Sequence, residues 1–116
     1  MAWMALIYWL SSQPELPTLA PAGYEQALTT LAHLGEYGVL GALGWWAAGV
    51  HPPRASARAL LLLALATVYG LSDEWHQSFV PGRTAESYDV VVDGAGAALG
   101  LLIAKRLETR RWTERR

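Results

Sequence analysis

Cysteine is absent from the 116 residues, so the chain has no disulfide framework and no thiolate metal or redox chemistry. Charge is scarce as well: 16% of residues are Asp, Glu, Lys or Arg, against about a quarter in an average soluble domain. Two long stretches, Val39 to His51 and Ala59 to Ser72, carry no formal charge. Such segments lack the polar face that an amphipathic helix turns to water. The composition therefore indicates a single membrane domain, residues 1–116, rather than a soluble protein.

Two other features are missing. The basic residues lie in short connecting or terminal segments and form no folded basic face, so nucleic-acid binding is not expected. No serine occupies a nucleophile elbow, which argues against covalent acyl chemistry.

Four apolar segments predict an all-α polytopic membrane bundle of about four transmembrane helices, at about 1–12, 31–50, 55–77 and 88–106. The first segment is shorter than the roughly 20 residues that cross a bilayer. It is either a signal sequence, although the usual basic region before such a segment is missing, or a transmembrane helix whose natural start lies upstream of Met1. We favour the second alternative. In the fourth segment Gly96 and Gly100 form a GxxxG pattern, which is typical of close helix packing in membranes.

The charges predict an orientation. Every Lys and Arg except Arg83 lies in the link between the second and third segments or after the fourth segment. Most acidic residues lie in or beside the two opposite links. Because short basic loops remain cytoplasmic, both termini are predicted to be cytoplasmic and the two acidic links to face outward.

Ionisable residues collect at the three helix ends that this topology places outside. Residues at i, i+3 and i+4 share a helical face. The three sets with such spacing are His33, Glu36 and Tyr37; Asp73, His76 and Gln77; and Asp89, Asp93, Gly96 and Gly100. Glu74 is predicted to lie about a quarter turn from the face of the second set but within the same layer, and Arg83 lies in the turn that follows. Because an ionisable group inside a membrane helix costs about 2.5–3.5 kcal/mol, this layer predicts a functional site.

Each group has a candidate role. The candidate catalytic residues are His33, Glu36, Asp73, Glu74 and His76, and the candidate substrate-binding residues are Tyr37, Gln77, Arg83, Asp89 and Asp93. A histidine beside a carboxylate can act as general base, and the guanidinium of Arg83 suits a phosphate. Asp73, Glu74 and His76 could hold a divalent metal ion. Structural alternatives remain: an interhelical hydrogen bond for His33 and Glu36, a helix cap for Asp89, and an interfacial anchor for Tyr37.

The motifs LSSQP (residues 10–14), HxxEY (33–37), DEWHQSFVPGR (73–83) and DxxxDxxGxxxG (89–100) resemble those of the VanZ-like family of bacterial membrane proteins. The resemblance covers about Trp9 to Leu101. It implies a multi-pass protein of the bacterial cytoplasmic membrane, associated with resistance to the glycopeptide teicoplanin. The family commonly has Asn where this chain has Asp93, so the chain carries an additional carboxylate.

Three functions remain open at this point. The site could bind or process a lipid-linked cell-envelope component at the outer leaflet, as an enzyme or lipid-handling protein. It could instead bind or shield a cationic component or antibiotic, or dock a partner, without catalysis. Finally, the polar cluster could be a structural network that fixes the register of the helices. The sequence does not indicate an oligomeric state.

Overall fold

Four α-helices make up the described part of the chain: α1 (Ala2–Ser11), α2 (Glu25–Ala47), α3 (Ala55–Gln77) and α4 (Ser87–Glu114). The structure, a computed structural model, describes residues 1–14, 21, 23–49 and 55–114. No strand occurs within these ranges, so the predicted all-α fold is confirmed. The predicted helix end at Val50 and four of the charges used to predict the orientation lie outside the described residues: Glu15, Arg54, Arg115 and Arg116.

Two helices extend further than the apolar segments predicted. Helix α2 begins at Glu25 rather than near residue 31, two residues after Gly23, whose φ of 102° is unsuitable for a helix. Helix α4 continues to Glu114 rather than ending near residue 106. Neither extension contains Gly or Pro, and both are rich in good helix formers. The predicted ends were wrong because hydropathy marks where the apolar part of a helix ends, whereas the helix itself continues into polar sequence.

Glycines bring α2 and α4 into backbone contact. A Cβ atom on Gly100 would overlap the carbonyl oxygen of Gly38, and one on Gly41 would overlap that of Ala97. A Cβ on Gly96 would lie 2.6 Å from the carbonyl oxygen of Leu34. Small residues permit this close approach in membrane helix pairs. The GxxxG pattern of α4 thus packs against α2 of the same chain.

Helix α1 is attached to the other helices by hydrogen bonds as well as apolar contact. The Trp3 indole Nε1–H donates to the backbone carbonyl of Glu36 at 2.8 Å, and the Tyr69 hydroxyl donates to the carbonyl of Met4. Ile7 is buried in one core cluster with Tyr37 and residues of α3 and α4. The alternating directions of the helices bring the ends of α1 and α3 beside the beginnings of α2 and α4.

The polarity of this bundle is inverted relative to that of a soluble domain. The buried polar residues are Ser11, His33, Asp73, Glu74, Gln77, Asp89 and Asp93. The outer surface instead exposes many large apolar side chains, among them Leu60, Leu65, Val68, Val91 and Ile103. Large exposed apolar surfaces mark protein or membrane contact sites.

Within the described residues, α3 alone is long and apolar enough to cross a membrane by length and composition, and α1 is a shorter apolar helix. Helix α2 has sufficient length, but its glycines and the polar residues His33 and Glu36 lower its mean hydropathy. The described residues therefore form a four-helix bundle in which one helix, α3, meets the criteria for a membrane span. The polytopic arrangement stays a prediction.

Candidate functional site

A buried His–Asp pair joins α2 to α4 at the polar end of the bundle. The Nδ1 atom of His33 lies 2.7 Å from Oδ1 of Asp93, and Asp93 is 0% exposed. Asp93 is also wedged against α3, because a Cβ atom on Gly70 would lie 3.1 Å from Asp93 Oδ2. His33 thus pairs with the carboxylate of another helix rather than with Glu36, the neighbour on its own helical face.

Two carboxylates of α3 are buried beside this pair. Gln77 Nε2 donates a hydrogen bond to Asp73 Oδ2 at 3.0 Å, as their spacing of four residues allows. Glu74 is only 8% exposed, and its carboxylate interacts electrostatically with Asp89, His33, Asp93 and Asp73. Glu74 lies about a quarter turn from the face of Asp73 and Gln77, and it is buried in the same polar layer.

Several buried polar atoms of the described residues have no hydrogen-bond partner. They are Tyr37 Oη, Asp73 Oδ1, both Glu74 carboxylate oxygens, His76 Nδ1 and Asp93 Oδ2. Buried polar atoms in native proteins are normally paired, and a cluster of exceptions requires a reason such as a ligand or bound water. A purely structural polar network is expected to satisfy its own members.

The charges at this end do not balance. The carboxylates of Glu36, Asp73, Glu74, Asp89 and Asp93 outnumber the basic side chains described at this end, which are His33, His76 and Arg83. Buried charges are tolerated only when they are neutralised or paired. This end of the bundle therefore requires additional positive charge, supplied by protons or by a bound cationic group.

Two predicted site residues attach α1 to the bundle. Arg83 Nε–H donates to the carbonyl of Gln13 at 3.1 Å, and Nη2–H donates to the carbonyl of Leu10 at 3.3 Å. The ring of His76 stacks on that of Tyr8 with centroids 4.3 Å apart. Arg83 and His76 thus connect the loop between α3 and α4, and the end of α3, to the end of α1. Their predicted roles in phosphate binding and catalysis stay predictions.

A cleft of about 900 Å³ opens at the same end. Its lining residues are Trp9, Leu10, Gln13, Pro14, Glu25, Gln26, Thr29, Thr30, Glu36, Gln77, Arg83, Thr84, Glu86 and Asp89. Four predicted site residues, Glu36, Gln77, Arg83 and Asp89, lie on this surface. The others, His33, Tyr37, Asp73, Glu74, His76 and Asp93, are buried or half-buried and do not line the cleft.

Sequence reasoning missed the contribution of the first turns of α2. Gln26, Thr29 and Thr30 line the cleft, but they lie outside the apolar segment from which α2 was predicted. Their i, i+3 and i+4 spacing was the available signal, since it places all three on one face of a helix that starts earlier.

The described residues contain no group of three or more His, Cys, Asp or Glu side chains that could hold a metal ion. Asp73, Glu74 and His76, the candidate ligands, do not form such a group. Metal binding by these residues therefore stays a prediction.

Comparison with known families gives one match. The model of the family described as VanZ/LLP1 matches residues 1–108, nearly the whole chain. The chain belongs to the VanZ/LLP1 family. No curated protein matches it, and no solved structure does.

The four VanZ-like motifs contact one another in pairs. HxxEY meets DxxxDxxGxxxG through the His33–Asp93 pair, and the VPGR end of the long motif meets LSSQP through Arg83 and the carbonyls of Leu10 and Gln13. The residues that carry the VanZ/LLP1 resemblance are thus those that assemble the cleft and the buried layer beside it.

Proposed function

We propose that this VanZ/LLP1 protein is a polytopic protein of the bacterial cytoplasmic membrane whose cleft binds a lipid-linked cell-envelope component on the outer side. The observation that carries the proposal is the inverted polarity of the bundle. Ionisable groups are enclosed between helices while apolar side chains cover the outside. Membrane proteins place ionisable residues in this way where they line a ligand or ion pathway.

The opposite end of the bundle supports the orientation. Arg58 Nη1–H donates to the carbonyls of Ala48 and Gly49 at the end of α2, at 3.0 and 3.1 Å. Trp45 Nε1–H donates to Glu108 Oε2 at 2.7 Å, and Lys105 Nζ lies 6.0 Å from the centroid of the Trp45 ring. This basic and aromatic end is typical of a cytoplasmic membrane interface, which leaves the acidic cleft facing outward.

The cleft suits an amphiphilic ligand. Its volume of about 900 Å³ falls within the usual range for ligand pockets, roughly 300–1,000 Å³. Trp9, Leu10 and Pro14 supply apolar lining, whereas Glu36 and Asp89 supply carboxylates. A headgroup could contact the polar residues while its lipid chain follows the exposed apolar side chains of α1.

Catalysis at the same site is a second candidate, favoured by the geometry of His33. His33 is buried beside the cleft lining with Nδ1 held by Asp93, and a neutral ring would leave Nε2, which forms no hydrogen bond with a described residue, able to accept a proton. A carboxylate that orients one ring nitrogen while the other stays available is the arrangement of a histidine general base. The catalytic alternative predicts that His33→Asn retains ligand binding but loses turnover.

The association with teicoplanin supplies a functional test. Expression of the wild-type chain in a susceptible bacterium is expected to raise the teicoplanin concentration that inhibits growth. The Glu74→Gln variant is expected to reduce that effect about tenfold, because it removes the charge of a carboxylate buried beside the cleft, and a loss of about 1.4 kcal/mol in binding is a factor of ten. The amount of each variant in the membrane fraction is measured in parallel.

Glu114→Gln is the matched control, since Glu114 is exposed at the far end of α4. It should protect the host as well as the wild type does. Full protection by Glu74→Gln at equal membrane abundance would exclude the buried layer from the function.

A further inference from the structure

We propose that the group bound by the cleft is a cationic amine rather than a phosphate. This inference rests on the proposed function and specifies the chemistry of its ligand. The requirement for positive charge among the buried carboxylates, described above, is met by such a ligand without any change in the bundle.

Carboxylates dominate the charged lining of the cleft. Glu36, Glu86 and Asp89 face it, and Arg83 is the arginine among the described residues of the lining. A phosphate would enter with negative charge and hydrogen-bond acceptors only, so it would be repelled by each of these acids. An ammonium group brings one positive charge and three donors, which carboxylates accept well.

Part of the Arg83 guanidinium is already engaged by the protein itself. Its Nε and Nη2 groups, which form one edge of the guanidinium fork, donate to the carbonyls of Gln13 and Leu10. Bidentate recognition of a phosphate uses such an edge. Among the described lining residues Arg83 is the basic one, and the edge of its fork that holds α1 in place is not open to a phosphate.

Asp89 supplies the independent indication of a ligand. It lines the cleft and is only 9% exposed, yet no hydrogen bond from a described residue reaches its carboxylate. Its position in the first turn of α4 gives it a favourable interaction with the helix dipole, which accounts for its location but provides no hydrogen-bond donor.

Glu74, buried behind the lining of the cleft, also points to a cationic ligand. Both of its carboxylate oxygens are buried without a hydrogen-bond partner, and it interacts electrostatically with Asp89. An ammonium group at Asp89 would thus offset the charge of two carboxylates that the protein leaves unpaired.

The test uses the full chain purified in a neutral maltoside detergent, with thermal unfolding followed by tryptophan fluorescence. The probes are dodecylamine, dodecyl phosphate, dodecyl glucoside and free ethanolamine. A ligand that binds only the folded protein raises its unfolding temperature in a saturable manner.

Dodecylamine is expected to produce such a shift and dodecyl phosphate none. A shift with ethanolamine as well would support a free amine as ligand, and a shift with dodecylamine alone a lipid-linked one.

Asp89→Asn is expected to weaken the apparent affinity for dodecylamine about tenfold or more. Glu36→Gln, at a half-buried position of the lining, is a second variant with a smaller expected loss, and it serves if Asp89→Asn does not fold. Glu114→Gln is expected to retain the wild-type affinity.

The outcomes separate the two proposals. A saturable shift with dodecyl phosphate that Arg83→Gln abolishes would overturn the amine assignment and leave the proposed binding function intact. An amine shift that is equal in wild type, Asp89→Asn and Glu36→Gln would also overturn the assignment. The absence of any shift with all four probes would count against both proposals.

Discussion

Replacing His33 by leucine is expected to lower the free energy of unfolding by about 3–5 kcal/mol. The substitution leaves the Asp93 carboxylate, which is 0% exposed, without its only hydrogen-bond partner among the described residues. Removing one member of a buried ion pair is costly because the other charge stays buried and uncompensated. Equilibrium unfolding of the purified protein in mixed detergent micelles measures the effect.

The double variant His33→Leu/Asp93→Leu is expected to recover most of that loss, since replacing both members of a buried pair by apolar residues is often nearly neutral. His76→Leu is the control: it removes a half-buried ring that stacks on Tyr8, and it should cost only about 1 kcal/mol. Equal stability of wild type and His33→Leu would show that the pair does not join α2 to α4.

Gly100→Val is expected to disrupt the packing of α2 against α4 and to lower stability by about 3 kcal/mol or more, at or above the upper end of typical overpacking costs. The added Cβ atom would overlap the carbonyl oxygen of Gly38, which is backbone and cannot rotate away. Because the two helices also hold His33 and Asp93, binding to the cleft should be lost together with stability. Thermal unfolding and dodecylamine binding measure the two effects.

Gly35→Ala is the matched control within α2. No atom lies within 4 Å of the Cβ that it would add, and alanine is favoured over glycine inside a helix by roughly 0.5–1 kcal/mol. The variant should be as stable as the wild type or slightly more so. A Gly100→Val protein with wild-type stability would contradict the close approach of α2 and α4.

Much of the fold could be predicted because apolar length and charge distribution are properties of each segment alone. The positions of α1 and α3, and the meeting of three polar helix ends, follow from segment order and alternating direction. The partner of His33 does not follow from them. The same layer contains four possible partners: Asp73, Glu74, Asp89 and Asp93. Which carboxylate reaches His33 depends on how α4 is rotated about its axis, and the contacts of its glycines with α2 determine that rotation.

The hydrogen bonds that attach α1 to the other helices also could not be predicted from the pattern of side chains. Arg83 and Trp3 donate to backbone carbonyls. Every residue offers such a carbonyl whatever its side chain, so the sequence does not indicate which one is used. The sequence therefore indicated an available guanidinium at position 83, suited to a phosphate, whereas the structure shows it engaged by the end of α1. Only the packed arrangement reveals which donors remain for a ligand.

The most direct test of the central claim is the sidedness of the two ends of the bundle. The chain contains no cysteine, so Ala85→Cys and Thr109→Cys each introduce a single thiol, at exposed positions beside the cleft and in the basic part of α4. A membrane-impermeant maleimide added to cells with a permeabilised outer barrier but an intact cytoplasmic membrane should label position 85 and leave position 109 unlabelled until the membrane is disrupted. Labelling of position 109 from outside, or of neither position before disruption, would contradict an outward-facing cleft in a membrane-spanning bundle.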